Sequence, residues 1–241
     1  MIEKWVVYNK SADFYGIGEK YNIDPVIARV IRNRDISEDK ISSYLQPDIE
    51  QLYSPWLLKD MDKAVTLIME DINNHKKIRI VSDYDVDGVM SNYILLKALE
   101  YLGAQVDYEI PDRIQDGYGI NEDIIKRAYE DGVDTILTCD NGISAIPQIK
   151  YAKGLGIKVI ITDHHDIPYE IDEEGKKEYS IVDADAVINP KQIDCSYPFK
   201  SLCGAGVAYK LIDALFEKNN VDKAYLSEFI QFVAIATVCD V

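Results

Sequence analysis

The chain has 241 residues, 47% of them hydrophobic, which is enough for one large α/β core and a small accessory segment. Its formal net charge of −16 repels a polyanion at long range; this excludes a general nucleic-acid coat protein, but not a metalloenzyme whose carboxylates are offset by bound cations. No run approaches the roughly 18 apolar residues of a membrane span, and Met1-Ile2-Glu3-Lys4 lacks the basic start and long apolar core of a signal peptide, so a cytoplasmic protein with no membrane partner is expected.

In chain order, residues 1–75 read as a helical N-terminal annex, with 62–72 its clearest helix and Pro47 and Pro55 marking loops. Residues 76–241 read as the main domain. There, β-rich runs at 78–81, 106–110, 135–138 and 158–161 alternate with segments of helical period, which predicts an α/β fold with a doubly wound, mainly parallel sheet. Ile94, Leu95, Ala98, Leu99 and Leu102 form one apolar helix face closed by Gly103; Asn121 caps another helix, and 144–153 is a third, stopped by Gly154. The charged stretch at 168–180, which includes Asp172, Glu173, Glu174 and Lys176, reads as a solvated loop. Cys139, Cys195, Cys203 and Cys239 form no C-x-x-C pair and are expected to be reduced core residues that bind no metal.

Three acidic clusters follow the predicted strands. The first is Asp83-Tyr84-Asp85-Val86-Asp87-Gly88, whose alternating carboxylates are expected on one side of the strand end. Three like charges so placed are costly unless a cation neutralises them. A calcium-binding EF-hand is excluded, because its loop needs a Glu six residues after the Gly, where Ile94 stands. The other clusters are Asp140-Asn141-Gly142 and Asp163-His164-His165-Asp166. All follow strand carboxyl ends, which in an open parallel sheet line one ligand crevice. Carboxylates with one or two imidazoles suit Mn²⁺ or Mg²⁺, and bridging carboxylates imply two ions. Such a pair, about 3.5–4 Å apart, acidifies a shared water and stabilises charge on a phosphoryl oxygen, which is the chemistry of phosphoester hydrolysis.

These motifs resemble those of the DHH phosphoesterase superfamily. The RecJ branch is indicated by Ile110-Pro111-Asp112-Arg113, Asp116-Gly117-Tyr118-Gly119, Asn189-Pro190, Tyr197-Pro198-Phe199 and Leu202-Cys203-Gly204-Ala205-Gly206, and the resemblance extends into the annex. It implies a single-strand-specific 5′-to-3′ DNA exonuclease using two Mn²⁺ or Mg²⁺ ions, acting with single-stranded DNA and with repair and recombination proteins. Carried over by motif, Asp85, Asp87, Asp140, His164 and Asp240 are the implied metal ligands, with Asp140 the bridge. Asp163 is a weaker ligand candidate that orients His164, Asp83 lies behind the ligands, and His165 faces the scissile phosphate as a donor or acid. Arg113, Tyr118 and the amides of Gly204 and Gly206 are implied substrate contacts.

Two departures stand out. Many DHH enzymes carry a histidine where this chain has Val81, so one ion is expected to gain a water instead. The chain also stops at Cys239-Asp240-Val241, before the second DHH-associated domain and the OB-fold of full RecJ proteins, so an excised catalytic half with a fraying Asp240 is expected. Two other classes remain open: a DHH phosphodiesterase for short oligonucleotides, cyclic dinucleotides or pyrophosphate, and a non-catalytic replication scaffold.

Overall fold

The computed structural model describes residues 10–114, 117–172 and 175–240. The 1–4 start, Asp116 and the Glu173-Glu174 pair considered above lie outside the described residues. The chain divides into two units, Met1–Leu52 and Tyr53–Val241.

In the first unit, α1 (Phe14–Tyr21), α2 (Pro25–Asn33) and α3 (Ile41–Leu45) bury Ile17, Ala28, Ile31 and Ile41 against one another. Asp13 and Asp24 each accept a backbone N–H from the first turn of the following helix, and Pro25 occupies a position whose amide would be unpaired anyway.

The second unit runs α4 (Met61–Asn73), β1 (Lys77–Ser82), α5 (Val86–Tyr101), β2 (Gln105–Glu109), α6 (Glu122–Glu130), β3 (Thr135–Cys139), α7 (Ile146–Gly154), β4 (Lys158–Thr162), β5 (Tyr169–Ile171), β6 (Lys177–Tyr179), β7 (Ala186–Ile188), α8 (Gly204–Lys218), α9 (Lys223–Ser227) and α10 (Ile230–Cys239). The main sheet has the order β2-β1-β3-β4-β7, every pairing parallel. Strand alternation sorts its side chains into two cores. Ile78, Ile80, Leu137 and Ile160 face α4, α5 and α8, whereas Val81, Ile136, Val159 and Ile161 face α6 and α7. The sheet is therefore doubly wound, as the sequence predicts. Because β2 lies on one side of β1 and β3 on the other, the winding reverses between β1 and β3. A crevice opens at that point, outside the strand carboxyl ends.

Three elements differ from the sequence reading. Helix α4, assigned to the annex, buries Met61, Ala64, Val65 and Ile68 in the core of the sheet. The 168–180 segment is not a featureless loop: β5 and β6 form an antiparallel hairpin whose strand residues are all exposed. Cys239 is exposed, unlike the other three cysteines, and all four are free. Among the described residues, no helix is long and apolar enough to cross a membrane.

The turn from β1 into α5 is where sequence most tightly constrains the fold. A Cβ on Gly88 would lie 2.5 Å from the Asp83 carbonyl oxygen and 2.9 Å from its Cα, and neither backbone atom can move without displacing the strand. Gly88→Ala is expected to destabilise the chain by about 1–3 kcal/mol, measured by urea melting. Wild-type stability in that variant would show that the turn yields.

Candidate metal centre

Asp83 follows β1 and is fully buried, and neither of its carboxylate oxygens has a hydrogen-bond partner. Asp85 is exposed and caps α5, its Oδ1 accepting the Gly88 amide at 2.9 Å. Asp87 lies in the first turn of α5 and is buried. The three carboxylates thus do not share one strand face, because the strand ends at Ser82 and the helical turn aims Asp85 and Asp87 in different directions.

Asp140 follows β3 with a left-handed backbone (φ 61°). The next side chain secures this strained turn. Asn141 donates to the Val81 and Cys139 carbonyls, and its own carbonyl accepts from the Thr138 hydroxyl. Asp140 is buried, and its Oδ1 has no hydrogen-bond partner. His164 follows β4, with Nε2 3.0 Å from Asp140 Oδ1 and 3.5 Å from Asp87 Oδ2; its Nδ1 is 3.7 Å from Asp240 at the end of α10.

These donors fall into overlapping sets whose ligand atoms lie within 4.8 Å of one another: Asp83, Asp85 and Asp140; Asp87, His164 and Asp240; and Asp140, His164 and His165. Asp140 and His164 link the sets. Burial, then the charges of Asp87 and Asp85, pushes the Asp140 carboxyl up to about 10, and burial also raises Asp87 and Asp83. Without a counter-ion, then, the site resists full ionisation. Buried carboxylate oxygens without partners, grouped with an imidazole, are the donor chemistry of Mn²⁺ or Mg²⁺ rather than of a thiolate-bound metal.

Asp163 lies outside all three sets. Its Oδ1 accepts the amides of His164 and His165 and contacts His165 Nδ1 at 2.7 Å, while Oδ2 accepts the Ile143 amide. Burial would raise this carboxyl, but His165 and the amides hold it below the usual range. Asp163 therefore orients the His165 ring, not the His164 ring named from sequence, through its contact with His165 Nδ1. The Asp163 hydrogen bond raises the His165 imidazole above its ordinary value. On its other side, His165 Nε2 lies 3.1 Å from the Tyr118 hydroxyl.

At the start of α8, the Gly204 amide is already taken by a protein carboxylate. Gly204 and Ala205 donate to the two oxygens of Asp87, at 2.5 and 2.7 Å. The helix N-terminus thus holds a protein carboxylate where a substrate anion was expected. Gly206 packs beside Leu202. Arg113 is exposed, its guanidinium 5.5 Å from the centre of the Tyr84 ring, and Tyr84 meets Tyr118 edge to face. Val81 is buried in the apolar core beneath α6 and α7. Asp83 instead stands with Asp85 and Asp140. Sequence reasoning assigned it a supporting place because spacing alone does not reveal that a carboxylate is buried without a partner.

A family model described as the DHH family, N-terminal domain, matches residues 77–237. This chain belongs to the DHH family. Among DHH relatives it is 36% identical over 98% of its length to the single-stranded-DNA-specific exonuclease RecJ of Bacillus subtilis, and 33% identical over 91% to RecJ of Escherichia coli. It spans only 28% and 37% of those two proteins. A crystal structure of exonuclease RecJ bound to manganese superposes with a TM-score of 0.65 at 30% identity, covering 76% of this chain and 44% of that one. RecJ from Thermus thermophilus in complex with Mn²⁺ gives 0.71 at 26% identity, over 95% and 30%.

Proposed function

We propose that this DHH chain is the catalytic portion of a RecJ-type nuclease, removing nucleotides from the 5′ end of single-stranded DNA with two Mn²⁺ or Mg²⁺ ions, in DNA repair and recombination. The observation that carries this reading is the joining of two oxygen-rich donor sets by Asp140 and His164 at the crevice where the sheet reverses its winding. Asp85 and Asp140, with Asp83, would hold one ion, and Asp87, His164 and Asp240 the other. When bound, the ions supply charge neutralisation at the phosphoryl group and a nucleophile at neutral pH.

The remaining chemistry belongs to side chains. His165, fixed through Nδ1 by Asp163, presents Nε2 beside the Tyr118 hydroxyl and gives its proton to the departing oxygen. Because Asp163 raises the His165 imidazole, the proton is retained above the ordinary histidine range, and activity falls as pH rises through the raised value. His165→Gln is expected to lower kcat by about 100-fold or more and to flatten that alkaline limb, as read from a pH–rate profile. An unchanged profile would assign the limb to another group.

The reading is tested with a 3′-labelled single-stranded oligonucleotide and Mn²⁺, beside the duplex of the same sequence and a chelated control. Progressive shortening of the single strand alone supports it. No cleavage together with no Mn²⁺ uptake in calorimetry would sink it.

A further inference from the structure

Beside the metal centre, a groove of about 520 Å³ is lined by Asp166, Tyr169, Lys177, Tyr179, Lys191 and Lys200, among others. Its size suits a nucleotide-sized ligand. On a chain of net charge −16, three lysines gathered around one carboxylate form a local reversal of sign. Its aromatic content is equally distinctive. The Tyr169 and Tyr179 rings, on the two strands of the exposed hairpin, lie 5.6 Å apart and are 45% and 40% exposed, and the Lys177 ammonium sits 3.9 Å from the centre of the Tyr169 ring. Accessible rings interleaved with cations are the equipment that holds unpaired bases and their phosphates.

The groove is connected to the site. Asp166 follows His165 directly; the Asn189 amide donates to the His165 carbonyl at 2.9 Å, and the Lys191 amide donates back to Asn189 at 2.8 Å. Lys200 braces this loop by donating to the Pro190 and Cys195 carbonyls. Lys191 is paired with Asp166, but that carboxylate is 87% exposed, and an exposed ion pair is worth little, so Lys191 exchanges Asp166 for a phosphate readily.

We infer that this groove is a channel for single-stranded nucleic acid beside the cleavage site: bases stack on Tyr169 and Tyr179, and backbone phosphates meet Lys177 and Lys191. The inference rests on the proposed nuclease reading of the neighbouring centre. It also answers the difficulty posed by an acidic chain, since binding runs along a confined basic path and not over the general surface.

The test is anisotropy of a 3′-fluorescent oligothymidylate, titrated with the intact chain in EDTA over a series of salt concentrations, so that binding is read without cleavage. The Lys177→Ala, Lys191→Ala double variant is expected to bind about tenfold more weakly, with the salt slope reduced by about 0.7 per lost phosphate contact. Tyr169→Ala is expected to weaken binding by about tenfold with little change in slope. Arginine at both lysine positions is expected to restore the slope. Thermal melting of each variant checks the fold; all the substituted side chains are at least partly exposed. Alanine variants that bind with wild-type affinity and slope, or a wild-type chain that binds no oligonucleotide, would overturn the channel. Mn²⁺-dependent cleavage by the wild type, followed in parallel, keeps the two ideas apart. Cleavage with unaltered variant binding overturns the channel alone, whereas weakened variant binding with neither cleavage nor Mn²⁺ uptake by the wild type supports the groove as a single-strand site and overturns the nuclease.

Discussion

Asp140→Asn is expected to abolish Mn²⁺-dependent cleavage and, in the same molecule, to make the metal-free chain harder to melt. Asparagine retains the shape of the side chain and tolerates the left-handed backbone at this position. What it removes is the charge. In the proposed centre this charge would help hold the cations at the phosphoryl group, which is worth several kcal/mol of transition-state stabilisation, so a fall in rate of roughly 1000-fold is expected. Without cations, the same charge is a liability, because Asp140 is buried, one oxygen accepts no hydrogen bond, and Asp87 and Asp85 repel it. Relieving such a functional strain is expected to contribute about 0.5–2 kcal/mol, or about 2–6 °C in melting temperature.

The pH dependence follows from the same displacement. Asp140 titrates near 10 in the fold but near the ordinary carboxylate value of about 3.9 when unfolded. Its protonated form is the one favoured by folding, so its contribution is full below about pH 4 and is lost as pH rises toward 10. In EDTA, the melting temperature of the wild type is therefore expected to fall over this range more steeply than that of Asp140→Asn. Mn²⁺ at about 100 times its Kd adds about 2.7 kcal/mol per occupied site to the wild type and less to the variant, which keeps only the Asp87, His164 and Asp240 set intact. Equal melting of the two proteins in EDTA, or wild-type Mn²⁺ uptake by the variant, would refute this account.

Gly204→Ala is expected to damage the centre although residue 204 contributes no ligand. A Cβ there would lie 2.7 Å from both Cβ and Oδ1 of Asp140, while the amide of the same residue holds Asp87 at 2.5 Å. Any relief is harmful: retreat of α8 releases Asp87, and rotation of Asp140 separates the two donor sets. Mn²⁺ affinity is expected to fall by about 10- to 100-fold, with a loss of about 1–3 kcal/mol in stability. Gly206→Ala is the control, because its Cβ would meet the flexible Leu202 side chain at 3.2 Å, and that side chain can shift. Calorimetric Mn²⁺ titration of both variants decides the matter. Normal uptake by Gly204→Ala would mean that α8 and Asp140 are not interlocked.

Much of the fold was legible because β1, β3 and β4 are short runs rich in β-branched residues and bounded by turn residues, and the acidic clusters directly follow them. The least legible parts depend on tertiary context. Strand β7 is three residues long, too short to show a period, and pairs with β4 only in the assembled sheet. Helix α10 is apolar nearly all round, with only Gln231 and Thr237 polar, so its exposed and packed faces cannot be separated by pattern. The clusters marked the site, but not which oxygens were already taken. Asp163 and Asp83 look equivalent in sequence, yet one is saturated by amides and an imidazole and the other has no partner. Gly204 read as a phosphate cradle because the carboxylate that occupies its amide lies far away in the chain.

That distance has a kinetic meaning. The Gly204 amide and Asp87 are 117 positions apart, so their contact closes a long loop of the chain. The entropy of closing such a loop must be met before the contact stabilises anything. A cation held through Asp87, as proposed, would then be expected to slow unfolding more than it speeds folding.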